Sequence, residues 1–449
     1  MSRLEIERII KDFEERWRGL AETRKPNNNR RYEVGDAALS AFAMFYMQSG
    51  SFLAHQRNLK RRIGRSNASS LFRSKTHPCD QQIKNILDPL EETEWQADFG
   101  YLLNRVKEGG QLEGFKDVGD TLLIVLDGTE YFNSKEIQCG RCLEQRDSKG
   151  QVHYVHQAIL PVVVKPGRSE VLARMPEMIV KQDGSHKQDC EINAAKRWLA
   201  REYGQFEAKA VTYLCDALYA HEPLCREISE RYQQFFGRGV KPDSHAWLFE
   251  WLEYAAKIDA LHQQVERARV GKYHETSVYR WAEQVPLTST KNALQVNYLE
   301  VRVTRDETGE CVYHNSWITN HTGIDAANVA RFAAACRSRW NAENGSHNVL
   351  KQHGYHLEHN FGHGQYNLSA VLLTLNVLAF LVHTVQQLVD PVYIKLRAEL
   401  VTRKAYFETL RTLTSFHLFD SWHAFFQFIF HGLDLAFTDL VGFVPPAPS

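Results

Sequence analysis

Residues 121–129 read Thr-Leu-Leu-Ile-Val-Leu-Asp-Gly-Thr, so a continuous apolar run ends abruptly at Asp127. An apolar run bounded by turn residues is typical of a strand that is buried on both faces. A second short apolar run, residues 210–214, ends in the same way at Cys215 and Asp216. Burying a carboxylate at a strand end is costly unless a cation accompanies it. The two runs therefore predict a sheet with an acidic edge.

Further segments around these runs predict an α/β fold. Strands are expected at residues 152–164 and 170–180, and a helix at 189–203, all before the second run. A helix at 223–233 and a strand at 235–240 are expected after it. Strand, strand, strand, helix, strand is the order of an RNase H-like mixed-sheet core.

The remaining segments indicate how the chain is divided. Residues 243–267 have a helical pattern, whereas 273–319 alternate apolar and polar side chains and predict a β-rich insertion into the core. Helical patterns precede residue 120 and return at 325–347. The predicted parts are a helical N-terminal region expected to bind DNA ends, 1–119; the first part of the catalytic core, 120–270; the β-rich insertion, 271–322; and core-completing and C-terminal helices, 323–449.

The charge balance is neutral, with 54 basic and 54 acidic residues, so any nucleic-acid contact must come from local patches. One such patch lies between Ser51 and Cys79, where basic residues occur without an acidic one. A solvated helix face explains the same pattern equally well.

The most apolar stretch, residues 368–389, has the length of a membrane span but contains Asn376, His383 and two glutamines. We therefore expect a buried core helix and no membrane partner. The first residues form an amphipathic helical pattern rather than a secretory signal, which predicts a cytoplasmic, nucleoid-associated protein.

A third carboxylate is expected from a helix near residue 343. Helical spacing places Arg339, Glu343 and His347 on one face. An i,i+4 salt bridge is the simple explanation, but the two strand-end aspartates favour a site for Mg²⁺ or Mn²⁺, which prefer oxygen ligands. Glu358, in the segment Glu-His-Asn-Phe-Gly-His-Gly at 358–364, is the rival for this role.

Four blocks together resemble the DDE-type insertion-sequence transposases of bacteria, over roughly residues 121–383. They are Leu-Asp-Gly-Thr-Glu-Tyr-Phe at 126–132, Cys-Asp-Ala-Leu-Tyr-Ala-His at 215–221, Arg-Ser-Arg-Trp-Asn-Ala-Glu-Asn at 337–344, and the 358–364 segment. The Arg, Glu and Lys of a YREK-like signature fall on Arg339, Glu343 and Lys351. Three positions depart from that signature: Cys336 stands where it has Tyr, Ala342 replaces a larger apolar residue, and Lys351 lies one residue late.

The resemblance implies that Asp127, Asp216 and Glu343 are a catalytic triad holding two Mg²⁺ or Mn²⁺ ions. It implies an endonuclease and strand-transfer enzyme of DNA transposition and recombination, which cleaves the element ends and joins a 3′-hydroxyl to target DNA. The partners would be double-stranded DNA, at the element ends and the target, and further copies of the chain in a dimer or higher oligomer. A nuclease without strand transfer and a non-catalytic DNA-binding descendant remain alternatives.

Candidate DNA contacts come from the basic patch and from the surroundings of the triad. Simple surface placement or packing at a helix break accounts for such residues equally well. They are Arg57, Lys60, Arg61, Arg62, Arg65, His221, Arg339, Lys351, His359 and His363.

A separate metal site is expected from paired ligands. Cys139 and Cys142 form a C-x2-C pair, and His153 and His156 follow at H-x2-H spacing. Two close pairs of sulfur and imidazole ligands suit a structural, tetrahedral Zn²⁺. Strand alternation would put His153 and His156 on opposite faces, however, and Cys190 is a substitute for one of them. Unpaired cysteines beside packed histidines are the alternative.

Overall fold

A computed structural model describes residues 4–25, 31–59, 61–62, 65–181 and 191–437; for 61–62 it describes the backbone only. The described chain has a mixed α/β fold. Its helices are α1 Glu5–Trp17, α2 Val34–Tyr46, α3 Phe52–Asn58, α4 Asn67–Phe72, α5 Asp80–Leu87, α6 Gln96–Glu108, α7 Glu191–Glu202, α8 Glu222–Arg226, α9 Ala246–Lys257, α10 Val329–Arg337, α11 Trp340–Ala342, α12 Asn348–Gln352, α13 Leu368–Val389, α14 Pro391–Glu399, α15 Arg403–Phe416 and α16 Trp422–Gly432.

The strands of the described residues form one large sheet, one smaller sheet and a short two-stranded ribbon. They are β1 Arg61–Arg62, β2 Arg65–Ser66, β3 Leu122–Val125, β4 Gly128–Ser134, β5 Leu143–Arg146, β6 Val152–Ile159, β7 Val162–Val164, β8 Leu172–Ala173, β9 Glu177–Ile179, β10 Val211–Cys215, β11 Phe235–Gly239, β12 His262–Val270, β13 Tyr273–Pro286, β14 Gln295–Arg305 and β15 Cys311–Thr319.

The large sheet has nine strands in the order β12-β13-β14-β15-β11-β10-β3-β7-β8. β3 and β10 are parallel and in register from Leu122 and Val211 to Val125 and Leu214. β11 is parallel to β10, whereas β7 and β15 run antiparallel to their neighbours. Because parallel strands end on the same side, Asp127 and Asp216 follow adjacent strands at one edge.

The chain passes directly between the large sheet and the smaller one. β4 follows β3 along the chain, and β6 precedes β7. β4 pairs with one edge of β6, and β5 and β9 pair with successive parts of its other edge. Asp127 lies at the break between β3 and β4, where its carbonyl oxygen accepts a hydrogen bond from Leu160 N at 3.0 Å. One nearly continuous strand therefore runs from the acidic edge into the smaller sheet.

The long helix α13 joins the helical parts of the protein. It packs against α2 and α6 of the N-terminal region and against β8 and α14. It is the one helix among the described residues that has the length and apolarity of a membrane span, and 94% of its most apolar window is buried within the protein. This agrees with the expected core helix. Asp390 then caps α14, which has Pro391 in its first turn.

Two stretches differ from the sequence-based expectation. The predicted helix at 243–267 is shorter, because α9 ends at Lys257 and the edge strand β12 begins at His262. The side chains of β12 are almost all exposed and polar, so no apolar alternation marks it. β12 belongs to the sheet because it pairs with β13, and the local sequence pattern does not predict that pairing. The chain is also non-helical between α12 and α13, where the Gly-rich 358–364 segment forms a loop.

Candidate active site and metal centre

Asp127 lies at the acidic edge, with its side chain only 16% exposed. Its Oδ1 is 3.5 Å from Nη1 of Arg339, and its Oδ2 is 3.7 Å from Nδ1 of His347. Burial raises the pKa of Asp127 to about 7, Arg339 opposes this shift, and the carboxylates of Glu191, Glu343 and Asp216 add to it. Three other carboxylates are thus close enough to Asp127 to affect its pKa.

Glu343 shares the guanidinium of Arg339 with Asp127. Nη1 of Arg339 is 3.7 Å from Oε1 of Glu343, at the i,i+4 spacing expected from the sequence. Glu343 begins a π-helical turn, Glu343–His347, that follows α11. The same turn carries His347, whose pKa is lowered to about 4, chiefly by burial. This side of the site therefore supplies a carboxylate, a guanidinium and a neutral imidazole.

Asp216 stands at the end of β10 and caps the short turn that follows, accepting a hydrogen bond from Leu218 N at 2.9 Å. It lines a cleft of about 950 Å³ that is also lined by residues 287–289, which follow β13, and by Asn315 and Trp317 of β15. Cationic or imidazole side chains in that cleft are Lys241, His221, His245 and Arg339.

Glu191, at the start of α7, is a site residue that the sequence analysis missed. Its Oε1 accepts hydrogen bonds from Gly128 N and from the Tyr219 hydroxyl, both at 2.8 Å. A Cβ on Gly128 would lie 2.7 Å from the Glu191 carboxyl carbon, so a larger residue here would displace the Glu191 carboxylate. In the sequence, only the position of Glu191 in the first turn of the helix after the predicted β-strands could have indicated that it belongs to the site.

Glu358 has a different partner. Its Oε1 is 2.8 Å from Nζ of Lys351, and its side chain is 61% exposed. Glu343 is among the acids whose charge raises the pKa of Asp127. Lys351 is accordingly engaged by Glu358 rather than by the acidic edge.

The Cys/His pair motif forms a compact cluster, but with a different fourth member from the one expected. Potential ligand atoms of Cys139, Cys142, His156 and His363 all lie within 4.8 Å of one another. These residues could hold a metal ion. Within the described ranges this is the one group of three or more such residues at that separation, so the three carboxylates of the proposed triad are farther apart.

The distances in the cluster are short and uniform. The two sulfur atoms are 3.8 Å apart, and Nε2 of His156 is 3.5 Å from each. Nε2 of His363 is 3.4 Å from Sγ of Cys142. Hydrogen bonds from Cys142 and the histidines lower the pKa of the Cys139 thiol, although burial opposes them.

His153 is not part of this cluster, so its assignment as a ligand was wrong. Its Nδ1 lies 2.9 Å from Asn133 Oδ1, and its Nε2 lies 3.6 Å from Asp147. The alternation of β6 turns it to the face opposite His156. His363, which we had expected at the DNA or at a helix break, takes its place; Cys190 lies outside the described residues.

The candidate DNA contacts are scattered. His221 is exposed in the cleft, and exposed His359 packs edge-on against Phe361. In the basic patch, Arg57 is exposed and Arg65 pairs with Asp420. Lys60 lies outside the described residues, and only the backbone is described for Arg61 and Arg62 in β1.

Comparison of the sequence with protein-family models and with curated proteins gave no match.

Proposed function

We propose that the protein is a DNA transposase of the DDE type. It would cleave phosphodiester bonds at the ends of a mobile element and join the resulting 3′-hydroxyl to target DNA. The observation that carries the proposal is the acidic edge, where Asp127 and Asp216 follow adjacent parallel strands and Glu343 shares Arg339 with Asp127.

The strand order supports an RNase H-like core. In β8-β7-β3-β10-β11 the first three strands are antiparallel neighbours, and the last two are parallel to β3. α7 connects the antiparallel group to β10, in the order inferred from the sequence. The β-rich insertion extends the same sheet through β15 to β12. Fold alone does not license a function, so the argument rests on the site.

The charges at the acidic edge fit divalent cations. Burial, with a smaller contribution from neighbouring carboxylates, raises the pKa of Asp127 to about 7, and a bound cation would favour its ionised form. Hard carboxylate oxygens are the ligands that Mg²⁺ and Mn²⁺ prefer. Ions held by Asp127, Asp216 and Glu343 would supply Lewis-acid stabilisation of the entering and leaving oxygens of a phosphodiester.

The protein's own residues would bind and orient the DNA. Arg339 lies between Asp127 and Glu343, and we assign it to a phosphate oxygen when the carboxylates hold cations instead. Lys241, His221 and His245 line the adjoining cleft, and we assign them to contacts with phosphate oxygens of a duplex. Glu191 would position the turn that carries Asp127 through its hydrogen bond to Gly128 N.

Strand transfer by purified protein tests the proposal. Labelled DNA taken from the two sequences that flank the gene would be incubated with the protein, a target plasmid and Mg²⁺ or Mn²⁺. We expect joined products from the wild type and a loss of roughly 10²- to 10³-fold or more in Asp127→Asn, Asp216→Asn and Glu343→Gln. Glu358→Gln is the matched control and should remain active.

Each alternative result has a defined meaning. Cleavage without joining would make the protein a nuclease of the same fold. Full activity in Asp127→Asn would refute the triad. Inactivity of Glu358→Gln together with activity of Glu343→Gln would move the third carboxylate to Glu358.

A further inference from the structure

We propose that Cys139, Cys142, His156 and His363 bind one zinc ion that fastens the smaller sheet to the loop before α13. The four residues come from the turn before β5, from β6 and from that loop. Cys142 and His363 are 221 positions apart in the chain. No sequence motif of ordinary length contains this ligand set.

The separations match a tetrahedral ion. Bonds of about 2.3 Å to sulfur and about 2.0–2.1 Å to nitrogen give tetrahedron edges of roughly 3.8 Å between sulfurs and roughly 3.6 Å between sulfur and nitrogen. The observed distances are 3.8 Å between the sulfurs and 3.4–3.5 Å for three sulfur-to-nitrogen pairs. Two thiolates and two imidazoles are a ligand set typical of structural zinc.

The geometry disfavours a disulfide between the two cysteines. A disulfide requires about 2.05 Å between sulfur atoms, whereas these are 3.8 Å apart and both cysteines are free. Simple packing of histidines does not account for the cluster either. It would not require Nε2 of His156 to be equidistant, at 3.5 Å, from both sulfurs.

The surroundings are those of a closed structural site rather than a catalytic one. All four ligands come from the protein, which leaves no coordination position for a substrate. The ring of Phe132 lies 4.5 Å from that of His363, and Tyr131 stacks on His156 at 5.7 Å. Cys142 and His156 are buried. These aromatic rings limit the access of water to the ligands.

The cluster lies where three parts of the chain meet. Arg141, between the two cysteines, forms an ion pair with Glu92 at 2.7 Å and donates a hydrogen bond to Asn367 at 2.5 Å. Glu92 belongs to the N-terminal helical region, and Asn367 directly precedes α13. Zinc would therefore fix the smaller sheet, the N-terminal region and the start of α13 relative to one another.

Asp88 provides a second anchor for the same loop. Its carboxylate accepts hydrogen bonds from the backbone N–H groups of Gln365, Tyr366 and Leu368, each at 3.0 Å. Gly364 approaches Asp88 closely with a φ of +70°, a conformation that favours glycine. With zinc on His363, the loop is held at two adjacent points.

Metal analysis of the full-length protein, purified without DNA and dialysed free of weakly bound ions, tests this inference. Elemental mass spectrometry should find about one zinc per chain. Cys142→Ser and His363→Ala should lose the zinc, and His153→Ala, the matched control on the other face of β6, should keep it. A wild type without zinc, or loss in His153→Ala with retention in His363→Ala, would overturn the assignment.

A second measurement tests the inference even if the variants that lack a ligand fail to fold. Protein produced in cobalt-supplemented medium should show the intense visible absorption of tetrahedral Co²⁺ with thiolate ligands, and His363→Cys should shift that absorption while keeping the metal. Weak absorption typical of octahedral Co²⁺, or an intact-mass decrease showing a Cys139–Cys142 disulfide, would refute the proposal. Because no DNA is involved, this result is independent of the transposase assignment.

Discussion

The acidic edge and the Cys/His cluster lie at opposite ends of the same run of chain, from Asp127 through β4 to Phe132, yet they are built differently. At the cluster, four ligand atoms lie within 4.8 Å of one another, and two of the four residues are buried. At the edge, the carboxylates are farther apart, Arg339 lies between two of them, and Glu343 is 38% exposed.

The two proposals give these sites different roles. Four convergent protein ligands satisfy a metal ion completely, so such a site contributes to folding. Separated carboxylates next to a cleft leave coordination positions for substrate oxygens, which two-metal phosphodiester chemistry requires. At the acidic edge, burial and neighbouring carboxylates disfavour the ionised form of Asp127, whereas the cluster would stabilise the fold once it binds metal.

Substitutions that each disrupt one of the two sites should give the largest effects. Asp127→Asn should abolish strand transfer while leaving the unfolding midpoint unchanged or higher, because it removes a buried charge held among other acids. His363→Ala should lower the unfolding midpoint markedly, with activity recovering in part at low temperature. Strand-transfer assays and calorimetry on both variants check this. A stability loss in Asp127→Asn would contradict the proposed division of roles.

Removal of each metal should distinguish the two sites, because they differ in how tightly they hold their ions. Gel filtration into buffer without divalent ions should abolish activity, and added Mg²⁺ should restore it, because Mg²⁺ on hard oxygen ligands exchanges readily whereas Zn²⁺ held by four protein ligands is retained. A strong zinc chelator should lower the thermal unfolding midpoint, and Mg²⁺ should not restore it. Differential scanning calorimetry after each treatment provides the measurement. Equal recovery with Mg²⁺ in both cases would mean that one class of metal serves both sites.

Glu191 sharpens the comparison, because it contributes to the charge of the edge without belonging to the proposed triad. Glu191→Gln should stabilise the metal-free protein by about 1 kcal/mol, the scale of one pKa unit of relieved repulsion. The amide oxygen can still accept from Gly128 N. Stabilisation by Mg²⁺ should be smaller than in the wild type, as measured by unfolding midpoints across a Mg²⁺ titration. An unchanged Mg²⁺ response would show that Glu191 has no part in cation binding.

The smallest effect is expected at the Lys351–Glu358 pair. Glu358 is 61% exposed, and exposed ion pairs contribute about 0–1 kcal/mol. Glu358→Gln and Lys351→Met should each change the free energy of unfolding by less than about 1 kcal/mol and strand transfer by only a few-fold. Denaturant titrations and the strand-transfer assay check this. A severe activity loss in Glu358→Gln would make the loop part of the active site.

The local sequence determined several features on its own. The apolar runs that end at Asp127 and Asp216 predicted two buried strands, and the i,i+4 spacing predicted the Arg339–Glu343 contact. The Cys139/Cys142 pair pointed to a metal site. Buried strands and helical spacing depend on the pattern of neighbouring residues, so these features can be predicted without tertiary information.

Only the tertiary structure decided which residues complete each site. His363 replaces His153 because the pleat of β6 turns His153 away, while the loop before α13 returns across the smaller sheet. Glu191 reaches Gly128 because α7 packs against β6 and β9 of the smaller sheet. β12 pairs with β13 despite its exposed, polar sequence. Each of these contacts joins residues distant in the chain, and local periodicity carries no information about such partners.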